Sequence, residues 1–140
     1  MVERILVATD GSDHARKAIL LACDFALKYK ATVYLVHVLS QLPPLPKPDA
    51  LQIVADSQEK FARKVIDDAE KEVKGKGVED FQSTILQGNP AREILAFAKK
   101  KNIDTIFMGS RGAGSIEGLL LGSVSSQVCH LAESPCVTVK

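Results

Sequence analysis

The sequence predicts an α/β protein: five parallel strands in one doubly wound sheet with helices on both faces. Three observations predict it. Short apolar runs alternate with longer amphipathic runs from end to end, and strands alternating with helices imply right-handed crossovers and a parallel sheet. The first run, Ile5-Leu6-Val7-Ala8, is continuously apolar, as a strand covered on both faces must be. The length, 140 residues, suits one domain spanning residues 1–140, with no repeat or boundary inside it.

The elements follow in order. After Ile5–Ala8 the chain is broken by Thr9-Asp10-Gly11-Ser12-Asp13, where Ser12 or Asp13 supplies a helix cap. Ala15, Ala18, Ile19, Ala22, Phe25, Ala26 and Tyr29 then recur at helical spacing. Thr32–Val38 is rich in β-branched residues and reads as the second strand. Four prolines within residues 43–48 exclude helix and inner strand; this extended loop is either a rigid connector or a flap over a site. A long helix runs from about Ala50 to Lys74 with Phe61, Val65, Ala69 and Val73 on one face, and Gly75-Lys76-Gly77 ends it.

Phe81–Leu86 alternates apolar and polar residues, as a strand near a sheet edge does. Asn89-Pro90 opens the third helix, whose stripe is Ala91, Ile94, Leu95 and Ala98. Thr105–Met108 is the fourth strand, residues 109–122 are glycine-rich, and Ser123–Ala132 is the last helix with Val124, Val128 and Leu131 inward. Pro135–Val139 is the fifth strand.

Composition excludes several functions. Lys plus Arg number 18 and Asp plus Glu 17, for a net charge of +1, which does not advertise phosphate-backbone binding by a nucleic-acid protein. Aromatics are 5% and Trp is absent, against base-stacking sheets. Cys23, Cys129 and Cys136 have neither paired count nor CxxC spacing, so they read as small buried hydrophobes in a reducing compartment. No apolar run approaches a membrane span, and the run after Arg4 is too short for a signal peptide. The expectation is a soluble, cytoplasmic protein. His14 is expected exposed, His37 as strand-end packing and His130 on a helix surface; they show neither metal-ligand nor triad spacing.

Ligands of doubly wound sheets bind beyond the carboxyl ends of the strands. Two loops sit there: Asp10-Gly11-Ser12-Asp13 and Gly109-Ser110-Arg111-Gly112-Ala113-Gly114. The GxGxxG fingerprint fails, since its last position is Glu117, and GxxxxGK[ST] is absent. What stands is Gly109-x2-Gly112-x9-Gly122-Ser123. Gly109 and Gly112 allow close backbone approach to a ligand, and Gly122-Ser123 opens a helix whose free amides form an anion site. Each feature also has a purely structural reading: Asp10 as a turn residue, Gly122 as a close-packing position, Arg111 as a solvated loop charge.

Together these residues resemble the ATP-binding branch of the universal stress protein family, over essentially the whole chain. The resemblance rests on residues 5–12 (ILVATDGS), Val36-His37-Val38, Gly88-Asn89-Pro90-Ala91, Met108-Gly109-Ser110-Arg111-Gly112, Leu121-Gly122-Ser123-Val124-Ser125 and Pro135–Val139. It implies a Rossmann-like sheet of order 3-2-1-4-5 and binding of ATP, ADP or AMP; Mg²⁺ is expected to accompany the ligand through phosphate oxygens and water, since it usually takes few protein ligands beside nucleotides. It further implies that Ala8, Thr9 and Val38 line the adenine slot, that Asp10 contacts the ribose or base side, and that Met108 and Gly109 approach the ribose. Arg111, Gly112, Gly122, Ser123 and Ser125 would hold phosphates, with Val124 between them in the binding segment.

The implied role is nucleotide-dependent regulation in a stress response. The competing role is ATP hydrolysis or adenylate transfer by an enzyme of the related adenine-nucleotide hydrolase-like class. Such enzymes typically carry an SGGxDS loop after the first strand, which Thr9-Asp10-Gly11-Ser12-Asp13 is not, and no catalytic residue stands out. A packing-only module is the third reading. With the implied strand order, residues 135–139 form an apolar sheet edge, and the expectation is a homodimer paired through it.

Overall fold

The computed structural model describes residues 2–41, 48–112 and 121–140. The element order is β1 (Arg4–Ala8), α1 (Asp13–Tyr29), β2 (Thr32–Leu39), α2 (Pro48–Gly75), β3 (Phe81–Gln87), α3 (Pro90–Lys100), β4 (Thr105–Gly109), α4 (Ser123–Leu131) and β5 (Cys136–Val139). The strands form one sheet of order β3-β2-β1-β4-β5, and every neighbouring pair is parallel. Both the predicted class and the implied strand order therefore hold. β1 lies between β2 and β4, so strand order reverses there and the chain's first loop faces its glycine-rich one.

Two apolar layers flank the sheet. Ile5, Val7, Val33, Leu35 and Phe107 pack with Ile19, Cys23, Ile66 and Val73 on the side of α1 and α2. Leu6, Ala8, Tyr34, Val36, Ile106 and Met108 pack with Ala91, Ile94, Phe97 and Val128 on the side of α3 and α4. This is why the central strands are continuously apolar: successive side chains enter different layers, and each fully buried large one stabilises the fold by roughly 1.5–3 kcal/mol.

The caps follow the sequence. Ser12 settles the first one, its Oγ accepting from the Ala15 N–H at 3.2 Å, and Asn89 accepts from the Arg92 N–H at 3.0 Å, with Pro90 in the first turn. Gly11 has φ +84°, a left-handed turn that favours glycine.

Several expectations are corrected. Phe61 is 54% exposed, because a row of residues four apart advances about 40° around the helix at each step. The row 61-65-69-73 therefore leaves the core at its first member, and α2 buries Ala62, Val65, Ile66, Ala69 and Val73. Tyr29 and Leu131 are exposed as well. Tyr29 ends α1 just before the left-handed Lys30, and Leu131 ends α4 where Ala132 turns extended towards β5. Pro48 is not loop but the first residue of α2, where its missing N–H costs nothing. The rest of the proline loop, 43–47, lies outside the described residues, and so does the question of connector or flap. Pro135 precedes β5, although its carbonyl already accepts from the Ile106 N–H at 2.9 Å. Of the cysteines only Cys23 is fully buried; Cys129 and Cys136 are half-buried.

Candidate functional site

A cleft of about 610 Å³ opens over the carboxyl ends of β1, β2 and β4. Every predicted site residue lies on its wall: Ala8, Thr9 and Asp10 from β1 and its loop, Val38 from β2, and Met108, Gly109, Arg111 and Gly112 from β4 and its loop. Gly122, Ser123, Val124 and Ser125 come from the start of α4. Residues 113–120 of the glycine-rich segment lie outside the described residues.

The loop after β1 is held by its own side chains. Asp10 Oδ1 accepts from the Ser12 N–H at 2.9 Å, and Thr9 Oγ1 from the Gly11 N–H at 3.3 Å. The Thr9 N–H donates to the Val36 carbonyl at 2.9 Å. His37 does more than pack at a strand end: it is buried, and its Nδ1 lies 2.8 Å from the Thr9 carbonyl oxygen. A carbonyl only accepts, so Nδ1 carries the proton.

Ser110 joins three elements, and the sequence gives no sign of it. It is 1% exposed. Its N–H donates to the Val139 carbonyl of β5 at 2.8 Å, and its own carbonyl accepts the Gly122 N–H at 2.6 Å. That same carbonyl lies 3.0 Å from Ser125 Oγ, and Ser110 Oγ lies 3.1 Å from His14 Nδ1. His14 is therefore half-buried rather than exposed as expected. The reason is Gly109, where a Cβ would stand 2.8 Å from His14 Cβ and from the Ala15 nitrogen. The bare glycine lets the start of α1 close on the end of β4. His130 is exposed, as expected.

The missing Cβ atoms thus face protein first. At Gly109 the space goes to α1, and at Gly112 a Cβ would collide with the Asp10 carboxylate, which draws the two loops together. Gly122 differs: its backbone is extended at φ −74° and ψ 169°, and the nearest atom to an added Cβ is 3.5 Å away. Among the described residues, neither backbone conformation nor packing against a Cβ demands glycine there.

On the α4 wall of the cleft the N-cap is Gly122, which supplies no side-chain cap. The helix's first intrahelical bond is Ser126 N–H to the Gly122 carbonyl, 2.9 Å, so the amides of Ser123, Val124 and Ser125 precede the ladder and carry the positive end of the helix dipole. The Ser125 hydroxyl is buried and donates into the protein, to the Ser110 or Gly122 carbonyl. Arg111, half-buried on the same wall, adds a positive charge. Ala8, Val36, Val38, Met108, Pro90 and Ile94 give the same cleft an apolar lining.

Asp10 is the one carboxylate among the described lining residues, and these residues hold no group of three potential metal ligands. A divalent cation accompanying a bound phosphate would therefore take its ligands mainly from phosphate and water. Sequence reasoning missed Gln58 and Phe61 of α2, which also line the cleft. Phe61 fits a core stripe and Gln58 a polar helix face, so no local signal marks either.

The model of the universal stress protein family matches residues 1–140. A universal stress protein of Thermus aquaticus is 35% identical over 97% of this chain and 96% of its own length. The structure of the universal stress protein UspA from Lactobacillus plantarum superposes with a TM-score of 0.89 at 25% identity, covering 99% of this chain and 97% of that one. The universal stress protein of Archaeoglobus fulgidus in complex with dAMP shares the fold, with a TM-score of 0.73 at 21% identity over 100% of this chain and 98% of that one.

Proposed function

This chain belongs to the universal stress protein family, and from that premise we propose that it binds an adenine nucleotide in the cleft above β1, β2 and β4. ATP is the first choice, with ADP or AMP as the alternative ligands and Mg²⁺ carried on the phosphates. The observation that carries the reading is the pairing of opposite chemistries in one cavity. The first-turn amides of α4 and Arg111 line it together with apolar Ala8, Val38 and Met108. A flat apolar base joined to a polyanion matches both chemistries. The Archaeoglobus relative holds dAMP on this fold; at its low identity the fold is what it shares, and the case for this chain rests on the cleft.

Bound nucleotide serves regulation rather than turnover in this reading: occupancy alters partner choice or assembly in a stress response. The enzymatic alternative has no observation behind it. The Ser110–His14 pair resembles a nucleophile and base in type only, since Ser110 is closed off from the cleft by burial.

Assembly belongs to the same proposal. β5 is the outer strand of the sheet, and an unpaired edge invites a second copy across a two-fold axis. We read residues 135–139 as the homodimer edge. Among the described residues no helix is long and apolar enough to cross a membrane, and a cytoplasmic site of action, in keeping with the free thiols, completes the proposal.

Mass spectrometry of the ligand that co-purifies with native protein, followed by calorimetry with ATP and Mg²⁺, tests the reading. The expected result is an adenine nucleotide and saturable ATP binding that Arg111→Ala weakens. Protein that is both empty and indifferent to ATP overturns it.

A further inference from the structure

The cleft has a second wall. α3 and α4 flank the sheet on one face, whereas Gln58 and Phe61 reach the cleft from α2 on the other. Phe61 is large and apolar yet 54% exposed. Its ring meets that of His37 edge to face, with centroids 6.1 Å apart and planes at 71°. His37 is in turn fixed by its hydrogen bond to the Thr9 carbonyl. The phenyl ring is therefore braced from the strand side and open towards the cleft. Gln58 stands three residues earlier, on the same helix face, half-buried on the same wall. Its amide sets an acceptor beside a donor. Adenine presents the complement, an amino donor beside the N7 acceptor, where guanine presents two acceptors.

We propose that α2 forms the base-recognising wall of the cleft, with Phe61 stacking on the purine and Gln58 selecting adenine over guanine by its amino-bearing edge. The proposal rests on the reading of the cleft as an adenine-nucleotide site and adds to it the residues that choose the base. Stacking is indifferent to which base it meets, whereas the amide pairing is not, so the two residues have separable signatures.

Calorimetry with ATP, GTP and adenosine on the full chain, as wild type, Phe61→Ala, Phe61→Tyr and Gln58→Leu, tests it. Both positions lie outside the core, and circular dichroism confirms the fold of each variant. Phe61→Ala is expected to weaken ATP, GTP and adenosine together by roughly 5- to 150-fold, the range of base–aromatic stacking, and Phe61→Tyr to restore binding. Gln58→Leu is expected to weaken ATP and adenosine but not GTP, lowering the ATP-to-GTP preference about tenfold. Wild-type ATP binding that neither substitution changes, or that both change without regard to base, overturns the inference and leaves the cleft reading intact. Absence of ATP binding in the wild type overturns the cleft reading itself.

Discussion

The backbone nitrogen of Gly122 lies 2.6 Å from the carbonyl oxygen of Ser110. This bond closes the glycine-rich segment at its base, so the amide end of α4 is registered against β4 whatever path the intervening residues take.

The glycines on either side of that bond should respond differently to substitution. Gly122→Val starts from an open position, since among the described residues an added Cβ meets nothing nearer than 3.5 Å. It should keep the fold and lower ATP affinity tenfold or more by crowding the anion site. Gly109→Ala places its Cβ 2.8 Å from the backbone of α1 and should destabilise by about 1–3 kcal/mol. Urea denaturation and calorimetry on both variants separate the effects. Equal ATP affinity in folded Gly122→Val would remove the phosphates from this wall of the cleft.

Intrinsic ATP turnover should be at or below ~0.01 per second, far under the enzyme median of about 10 per second. Asp10 is the one carboxylate on the described cleft wall, and one of its oxygens already holds the Ser12 N–H. A multiple-turnover assay near the median, with activity lost in Asp10→Asn, would point to an enzyme.

The edge strand offers a directed test of the dimer. The carbonyls of Pro135 and Val139 accept from β4. Residues alternate along a strand, so Val137 faces β4 with them and Thr138 turns its N–H outward. Thr138→Pro should therefore remove an outward donor and yield a folded monomer, whereas Val137→Pro would damage the sheet itself. Light scattering on wild type and Thr138→Pro decides; a monomeric wild type or an unaltered mutant dimer rules this edge out.

Burial pushes the Cys23 thiol up to about 11, and burial, with Cys129 as a second contribution, does the same to Cys136. In the unfolded chain each ionises near the ordinary 9.0. Between pH 9 and about 11 the unfolded state loses protons that the folded state keeps, so these thiols make stability fall as pH rises through that window. The double Cys23→Ala, Cys136→Ala variant should flatten this alkaline loss in denaturant titrations at pH 8 and 10. An unchanged slope would show that other groups cause it.

The fold was legible because its signals are periodic and local. Ile5–Ala8 announces a doubly covered strand, and Asn89-Pro90 announces a helix start. The glycine loop of the cleft was legible through its spacing, and Ala8, Thr9, Val38 and Met108 through the family resemblance, although the spacing does not reveal that Gly109 and Gly112 answer to α1 and Asp10. What stayed hidden depends on rotation and on distant partners. Phe61 lies one step outside its core row, and Ser110 looks like any loop serine until β5, α1 and α4 converge on it. His14 looks like a surface residue until the neighbouring strand proves to end in a residue with no side chain.

Ser110 spends its two backbone polar groups in different places: the N–H on the outermost strand, the carbonyl on the helix that opens the cleft. One residue is thus a common rivet for the sheet margin and the anion end. If a second copy docks along that margin more firmly when the cleft is filled, the cleft must fill more readily, by the same factor, in the docked pair. The protein would then read nucleotide level and its own abundance through a single displacement, with neither signal upstream of the other.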